Sequence, residues 1–252
     1  MAEVTSTSSD TLFGGRVALA QPARGRGYRV NVDAVLLAAF AAGALAPAHR
    51  VRRARAAFDL GSGVGAVGLS LLHLGAAERV TMVEVDASLA KLAQSNAVAN
   101  GWTDRIDVLR ADVTDLASIP VGAADLVVCN PPYVEPGRGR APLASRARAR
   151  SGPLAAFLDA ARRLAGRRAR VCFVYPAIEA TTLLAELRGR GLEPKRLRAV
   201  HAMRSGAPGK STQAVVQNAR VFLIECCAGR PGGLVVEPPL VEPAIVMDRA
   251  AG

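Results

Sequence analysis

The stretch Ala56-Ala57-Phe58-Asp59-Leu60-Gly61-Ser62-Gly63-Val64-Gly65 decides the fold, and an apolar segment at 66–74 follows it directly. Its first half predicts a strand, because it is apolar apart from Asp59 and ends at a cluster of glycines. Glycine in that turn permits a positive φ and lets a ligand approach the backbone closely. A strand, a glycine loop and a helix in this order are typical of the ligand-binding edge of a parallel sheet.

Strand-like and helix-like segments alternate along the rest of the chain. Further strands are predicted at 79–85, 105–110, 124–129, 169–175, 197–200 and 220–226. Helices are predicted at 34–45, 88–100, 154–164 and 178–188. This alternation implies an α/β fold whose doubly wound, mostly parallel sheet has seven strands in a Rossmann-like arrangement.

Length and composition limit the class of protein. Half of the 252 residues are hydrophobic, which is enough for a large core. No apolar run approaches the roughly 20 residues of a membrane-spanning helix, and the polar residues 1–10 predict no signal peptide. The four cysteines lie in or beside strand-like segments without metal-ligand spacing. We therefore expect reduced thiols, no metal site and a cytoplasmic location.

The chain is strongly basic, with a net charge of +11 and a pI of about 10.6. Such a charge favours a polyanionic partner, and nucleic acid is the obvious one. Nearly all of the charge is arginine, an excess that a GC-rich genome also produces. The arginine-rich segment 137–152 is either a solvated loop or a basic flap beside the active site. A polar loop predicted at 201–217 is a second candidate substrate surface.

Two carboxylates follow the next strands, where a bound nucleoside would lie. Glu84 comes about 20 residues after the glycine loop, where a carboxylate can accept from both ribose hydroxyls. Asp112 follows the third strand and can accept from an adenine amino group. The spacing Gly63-x-Gly65-x-x-Gly68 also matches the dinucleotide fingerprint, so an NAD-dependent enzyme is an alternative at this point.

The tetrapeptide Asn130-Pro131-Pro132-Tyr133 directly follows the predicted strand 124–129. Two prolines lack N–H groups and fix φ, so they end the strand in a stiff turn. Such a turn would hold the Asn130 carboxamide and the Tyr133 ring in one relative orientation. A planar target with an amino group suits this arrangement, because the ring can stack on it while the Asn130 side-chain oxygen and the Pro131 carbonyl accept from its N–H groups.

In order and spacing these segments resemble motifs I to IV of the class I S-adenosylmethionine-dependent methyltransferases. The tetrapeptide resembles motif IV of those members that methylate adenine N6, cytosine N4 or a protein glutamine. The resemblance implies S-adenosyl-L-methionine, rather than NAD, as the cofactor. The implied catalytic residues are Asn130, Pro131, Pro132 and Tyr133. The implied cofactor-binding residues are Asp59, Gly61, Ser62, Gly63 and Gly65 around the methionine moiety, Glu84 and Val85 at the ribose, Asp112 and Val113 at the adenine, and Asn130 beside them.

Both ends of the chain are similar to the bacterial tRNA adenine-N6 methyltransferases that act beside the valine anticodon. The similar segments include Gly27-Tyr28-Arg29-Val30-Asn31-Val32-Asp33 and residues 231–240. This resemblance extends from about residue 11 to residue 243 and implies tRNA as the substrate of a monomeric enzyme. We expect four parts: a disordered tail at 1–10, an extension at 11–50 that covers the cofactor and substrate, a methyltransferase domain at 51–228, and a proline-rich tail at 229–252.

Two aspartates have alternative roles. Asp33 either lies near the methionine end of the cofactor, as the resemblance implies, or caps the helix that follows it. Asp86 is predicted to cap the helix after Glu84 and Val85 rather than to bind the cofactor.

Three other functions stay open. A protein glutamine N5-methyltransferase acting on peptide release factors uses the same tetrapeptide, although those enzymes carry a helical domain longer than the segment that precedes Asp59 here. A non-catalytic RNA-binding domain with a degenerate methyltransferase fold is disfavoured by the full set of acidic residues. A methyltransferase of small-molecule amines is the third.

Overall fold

The computed structural model describes residues 7–23, 30–45, 51–132, 143–204, 215–229 and 231–242. Its elements are, in chain order, β1 Thr7–Leu12, β2 Val17–Pro22, α1 Val32–Ala41, β3 Ala54–Leu60, α2 Ala66–His73, β4 Ala77–Glu84, α3 Ala87–Ala99, β5 Ile106–Arg110, β6 Ala124–Cys129, α4 Leu143–Leu164, β7 Ala165–Pro176, α5 Ala180–Gly189, β8 Leu192–Arg204, β9 Val215–Ala228, β10 Val235–Val236 and β11 Leu240–Val241.

The main sheet has nine strands in the order β10-β8-β9-β7-β6-β3-β4-β5, with β11 also paired to β8. Strands β5, β4, β3, β6 and β7 run parallel, and β9 is antiparallel to both of its neighbours. The predicted α/β fold with a mostly parallel sheet is therefore confirmed. The predicted seven strands become nine because β10 and β11, which are two residues long, pair with β8.

Helices cover both faces of the sheet. Along β6, Leu126 and Val128 pack with α1, α2 and the β1–β2 hairpin, whereas Val127 and Cys129 pack with α4 and α5. All four side chains are fully buried. Alternate side chains of a strand point to opposite faces, so a strand covered on both sides is apolar throughout, as this segment of the sequence is.

The N-terminal residues differ from the prediction of a disordered tail at 1–10. Residues 7–10 belong to β1, which pairs antiparallel with β2, and Thr7 lies opposite Pro22. The sequence of β1 is polar and does not predict a strand. The strand is stabilised by backbone pairing and by the buried Leu12, Val17 and Leu19 of the hairpin. Residues 1–6 lie outside the described part of the chain.

Buried ion pairs attach part of the predicted proline-rich tail, residues 231–242, to the sheet. Arg196 of β8 lies 2.9 Å from Glu225 of β9 and 2.6 Å from Glu237, which follows β10. Arg170 of β7 reaches the same Glu225 at 3.3 Å. The Arg198 side chain donates to the Pro238 carbonyl. Residues 231–242 are therefore part of the folded domain.

Two predicted loops are also partly regular. Helix α4 begins at Leu143, so the arginine-rich segment 137–152 is helical from there on, in keeping with the high helix propensity of alanine and arginine. Strands β8 and β9 extend to Arg204 and back from Val215, with Met203 opposite Val216. The predicted loop at 201–217 is thus a hairpin, and its residues 205–214, like 137–142, lie outside the described residues.

Candidate functional site

Strand register brings the predicted site residues to one edge of the sheet. Leu60 of β3 pairs with both Cys129 of β6 and Val83 of β4, and Glu84 pairs with Arg110 of β5. The site residues therefore follow one another across four adjacent strands. Asn130 follows β6, Gly61 follows β3, Glu84 ends β4, and the last residues follow β5. Neighbouring strands lie about 4.8 Å apart, so these four positions span about 14 Å. An extended nucleoside with an amino-acid tail fits along such an edge.

The glycine loop after β3 needs its glycines for two different reasons. Gly61, Gly63 and Gly65 have φ of +67°, +56° and +87°, where side chains other than that of glycine are strained. A Cβ at Gly65 would lie 2.8 Å from the Met82 sulfur, whereas a Cβ at Gly63 would meet no atom of the described residues within 4 Å. Gly65 therefore allows close packing onto β4, and Gly63 leaves open space beside the loop.

Glu84 fixes this loop from the neighbouring strand. Its Oε2 accepts from the Gly63 N–H at 2.8 Å, and its Oε1 accepts from the Asp86 N–H at 2.8 Å. The carboxylate is buried, and each oxygen retains a second lone pair for a further donor such as a ribose hydroxyl.

Asp59 is fully enclosed beneath the loop. Its Oδ2 accepts from the Gly68 N–H at 2.9 Å. Burial raises the pKa of Asp59 to about 7, with the charge of Glu84 raising it further and the Gly68 hydrogen bond opposing the rise. Because this pKa is higher than the ordinary value of 3.8, the folded state binds the extra proton, and Asp59 lowers stability as the pH rises from about 4 to about 7.

Four further side chains fit a nucleoside cofactor at this edge. The Ser62 hydroxyl is buried and finds no hydrogen-bond partner in the described part of the chain, which is uncommon for a buried polar group. Val85 is 59% exposed, although it is a large apolar residue directly after Glu84. Asp112 Oδ1 accepts from the Thr114 N–H and hydroxyl, and these bonds lower the pKa of Asp112. Val113 is partly buried and packs against the core.

The acceptor turn begins where β6 ends. Asn130 is half-buried, Pro131 is buried and Pro132 is exposed. The Asn130 carboxamide makes no hydrogen bond to any residue that the structure describes. Tyr133 lies outside the described residues, so its predicted stacking role stays a prediction.

Of the two aspartates with alternative roles, one caps a helix and the other does not. Asp86 caps α3 as predicted, accepting from the Ser88 and Leu89 N–H groups. Asn31, not Asp33, caps α1, because its Oδ1 accepts from the Asp33 N–H. Asp33 itself is fully buried, and its Oδ1 lies 2.6 Å from an Arg220 nitrogen.

Sequence reasoning missed two polar side chains that support the site. Arg220 of β9 joins Asp33 to Glu242 of the C-terminal segment. Asn96 of α3 donates to the Val64 carbonyl within the glycine loop. The pair Asn96 and Asn100, one helical turn apart, was the available signal, since asparagine is not a favoured residue within a helix.

Neither a metal site nor a membrane-spanning helix occurs in the described ranges. No group of three or more histidine, cysteine, aspartate or glutamate side chains there could hold a metal ion. No helix among them is long and apolar enough to cross a membrane. Cys129, Cys172 and Cys226 are buried free thiols, and burial raises the pKa of each.

Comparison with known proteins agrees with this geometry. Residues 39–149 match the family model of the methyltransferase small domain. A tRNA1(Val) (adenine(37)-N6)-methyltransferase of Shewanella amazonensis is 38% identical over 117 residues, or 45% of this chain and 45% of the relative. The protein of the same name from Erwinia tasmaniensis is 34% identical over 166 residues, or 65% and 64%. The chain thus spans less than two thirds of the length of these relatives.

A solved structure shows the same fold. Protein Atu636 of Agrobacterium tumefaciens, named as a predicted O-methyltransferase, superposes with a TM-score of 0.60 at 24% identity and covers 84% of this chain and 88% of its own. The comparisons confirm both the Rossmann-like methyltransferase fold and the predicted resemblance to the tRNA adenine-N6 methyltransferases.

Proposed function

We propose that the protein is an S-adenosyl-L-methionine-dependent N-methyltransferase that modifies adenine N6 in tRNA, in the anticodon-loop region. The observation that carries the proposal is the register that sets Asn130 beside Gly61 on adjacent parallel strands. An amine-binding carboxamide and the loop for the methionine end of the cofactor are thereby neighbours. The names of the curated relatives support the choice of tRNA, and adenine 37 is the first position to examine.

The cofactor would lie along the carboxyl edge from β3 to β5. Gly61, Ser62, Gly63 and Gly65 would surround its methionine moiety above Asp59. The Ser62 hydroxyl is buried and has no hydrogen-bond partner among the described residues, so it could bind the cofactor. When bound, S-adenosyl-L-methionine supplies a methyl group activated by its sulfonium centre.

The ribose and adenine of the cofactor would bind at the next two strands. Glu84 would accept from the ribose hydroxyls while Val85 packs against the nucleoside. Asp112 would accept from the adenine amino group, as its lowered pKa keeps it ionised at neutral pH, with the Val113 backbone beside it. Asp33 is proposed to act indirectly, by holding the start of α1 near the methionine end through its pair with Arg220.

Asn130 and Pro131 would activate the acceptor by hydrogen bonding. The lone pair of an exocyclic amine is delocalised into its ring, so the amine is a weak nucleophile. If the Asn130 oxygen and the Pro131 carbonyl accept its two hydrogens, the nitrogen can become pyramidal toward the methyl group. These interactions are strongest in the transition state, so they favour turnover rather than binding. The leaving group would be S-adenosyl-L-homocysteine, and the surplus proton of the amine would be released after the transfer, so no strong general base is required. Pro132 stiffens the turn, and Tyr133 is proposed to stack on the acceptor ring.

We propose in addition that the enzyme is cytoplasmic and monomeric and needs no metal. Its basic charge of +11 suits the phosphate backbone of tRNA. A base in a folded anticodon arm would have to leave its stack to enter the pocket, as bases do for enzymes that modify them.

Product analysis tests the proposed function. The purified protein is incubated with methyl-labelled S-adenosyl-L-methionine and either unmodified tRNA or an unmodified peptide release factor. The products are then digested and analysed by mass spectrometry. We expect N6-methyladenosine from the tRNA and no label in the protein. Methylglutamine in the release factor would instead establish the alternative acceptor, and label in neither substrate would contradict the proposal.

A further inference from the structure

One buried side chain joins the glycine loop to the N-terminal hairpin. Asn96 lies in α3 and is 1% exposed. Its Oδ1 accepts from the Ala20 N–H at 2.7 Å, and its Nδ2 donates to the Ala20 carbonyl at 2.9 Å. The same Nδ2 donates to the Val64 carbonyl at 2.9 Å. Both hydrogens of the amide and its oxygen are therefore used in holding two separate backbone segments.

The loop contact lies at the centre of the proposed cofactor site. Val64 stands between Gly63, which borders open space, and Gly65, whose N–H donates to the Ser62 carbonyl. A hydrogen bond to the Val64 carbonyl fixes the peptide plane that joins Val64 to Gly65. Because glycines on both sides offer little resistance to a peptide rotation, this external bond helps to hold the shape of the loop, together with the bond from the Gly63 N–H to Glu84.

The hairpin contact resembles pairing with another strand. Ala20 of β2 gives both its N–H and its carbonyl to Asn96, as it would to a neighbouring strand. Asn100, the C-cap residue that directly follows α3, binds the N–H and the carbonyl of Ala18 in the same way. Asn100 differs in its remaining bond, which goes to the Asn96 carbonyl and not to the glycine loop.

The hairpin in turn holds the segment that starts α1. Gln21, the residue after Ala20, is buried, and its side chain accepts from the Val30 N–H at 2.9 Å and donates to Asp10 at 2.6 Å. Val30 is followed directly by Asn31, the cap of α1. Hydrogen bonds thus connect the glycine loop, through Asn96 and β2, to the beginning of α1.

We propose that Asn96 is a positioning residue for the cofactor loop, and that it couples cofactor binding to docking of the β1–β2 hairpin. The inference rests on the proposed function, since it takes the glycine loop to bind S-adenosyl-L-methionine. Coupling is reciprocal: a hairpin that holds the loop in its binding shape must itself be held more firmly once the cofactor is bound.

Two matched alanine variants separate positioning from general stability. Asn96→Ala and Asn100→Ala each remove a pair of hydrogen bonds to β2, but only Asn96→Ala removes the bond to the loop. Titration calorimetry with S-adenosyl-L-methionine should show a Kd raised about tenfold or more by Asn96→Ala, and about twofold at most by Asn100→Ala. At saturating cofactor, kcat of Asn96→Ala should fall much less than the affinity for the cofactor, because the Asn96 side chain bonds Ala20 and Val64 and not the acceptor turn.

Hydrogen exchange tests the coupling directly, first in the wild-type protein and then in the two variants. In the wild-type protein, the cofactor should slow exchange of the amides of β2, and the same protection should persist in Asn100→Ala and be lost in Asn96→Ala. If Asn96→Ala fails to fold, exchange of the β2 amides in the wild-type protein, with and without cofactor, tests the coupling by itself.

The outcomes are distinguishable. Equal losses of affinity in the two variants, or unchanged β2 exchange in the wild type on cofactor binding, would overturn the inference while leaving the proposed function intact. A wild-type protein that binds no S-adenosyl-L-methionine would overturn both.

Discussion

Two glycines of the cofactor loop should respond differently to the same substitution. Gly63→Ala and Gly65→Ala each place a Cβ on a backbone with positive φ. The left-handed conformation costs an alanine roughly 1–2 kcal/mol. At Gly65 the new methyl group would also lie 2.8 Å from the Met82 sulfur, within the fully buried core. Overpacking adds about 1–3 kcal/mol, at the lower end here because the end of the methionine side chain can move.

The loss of stability should therefore be about 1 kcal/mol for Gly63→Ala and about 2 kcal/mol for Gly65→Ala. In a protein of this size each kcal/mol lowers Tm by roughly 2–4 °C. Calorimetry should then show a fall of about 3 °C for the first variant and about 6 °C for the second.

Cofactor affinity should show a different pattern. The methyl group of Gly63→Ala would enter the open space beside the loop, where the structure has no atom within 4 Å and where we place the methionine moiety. We expect its Kd for S-adenosyl-L-methionine to rise at least about tenfold, which corresponds to about 1.4 kcal/mol. A Gly63→Ala protein that binds the cofactor normally, or that is less stable than Gly65→Ala, would refute the assignment of the two glycines.

Three other perturbations have defined outcomes. Ionisation of Asp59, whose pKa is about 7, should tighten binding of the positively charged cofactor by up to roughly tenfold between pH 6 and pH 8. Titration calorimetry measures this change in affinity, and in Asp59→Asn the affinity should depend little on pH. Glu225→Ala leaves Arg170 and Arg196 without their shared buried carboxylate and should lower the free energy of unfolding in urea by about 3–5 kcal/mol. Asp86→Ala removes the cap of α3 and should cost about 1 kcal/mol in the same assay.

Each of these expectations can fail in a specific way. A cofactor affinity that is independent of pH in the wild type would mean that the charge of Asp59 does not contribute to cofactor binding. A Glu225→Ala protein of wild-type stability would show that the buried arginines find other partners. A loss at Asp86→Ala as large as that at Glu225→Ala would mean that Asp86 does more than cap a helix.

The site edge could be predicted because each of its residues directly follows a strand. Asn130, Glu84 and Asp112 lie at or just beyond the ends of segments whose apolar character marks them as strands. In a parallel sheet such ends meet at one edge, whatever the details of packing. The same local signals identified the helix cap Asp86.

Long-range hydrogen bonds could not be predicted in this way. Asn96 and Ala20 are 76 residues apart, and nothing in either local sequence marks the partner. Asn31 rather than Asp33 caps α1, because the helix begins at Val32 and Asp33 lies within its first turn. Asp33 instead pairs with Arg220, which is far from it in the sequence. Strand β10 has two residues in a proline-rich segment and is held by its pairing with β8 and by Glu237, which binds Arg196. No periodic pattern can reveal a strand of that length.

The central claim is that a methyl group is transferred to an adenine amino group beside Asn130. Its most direct test is nucleoside mass spectrometry of tRNA treated with the wild-type protein and with Asn130→Ala, both at saturating S-adenosyl-L-methionine. We predict N6-methyladenosine from the wild type and a rate about 100-fold lower from the variant, with cofactor Kd unchanged. An undiminished rate in Asn130→Ala, or an equal loss of turnover and cofactor binding, would contradict the account.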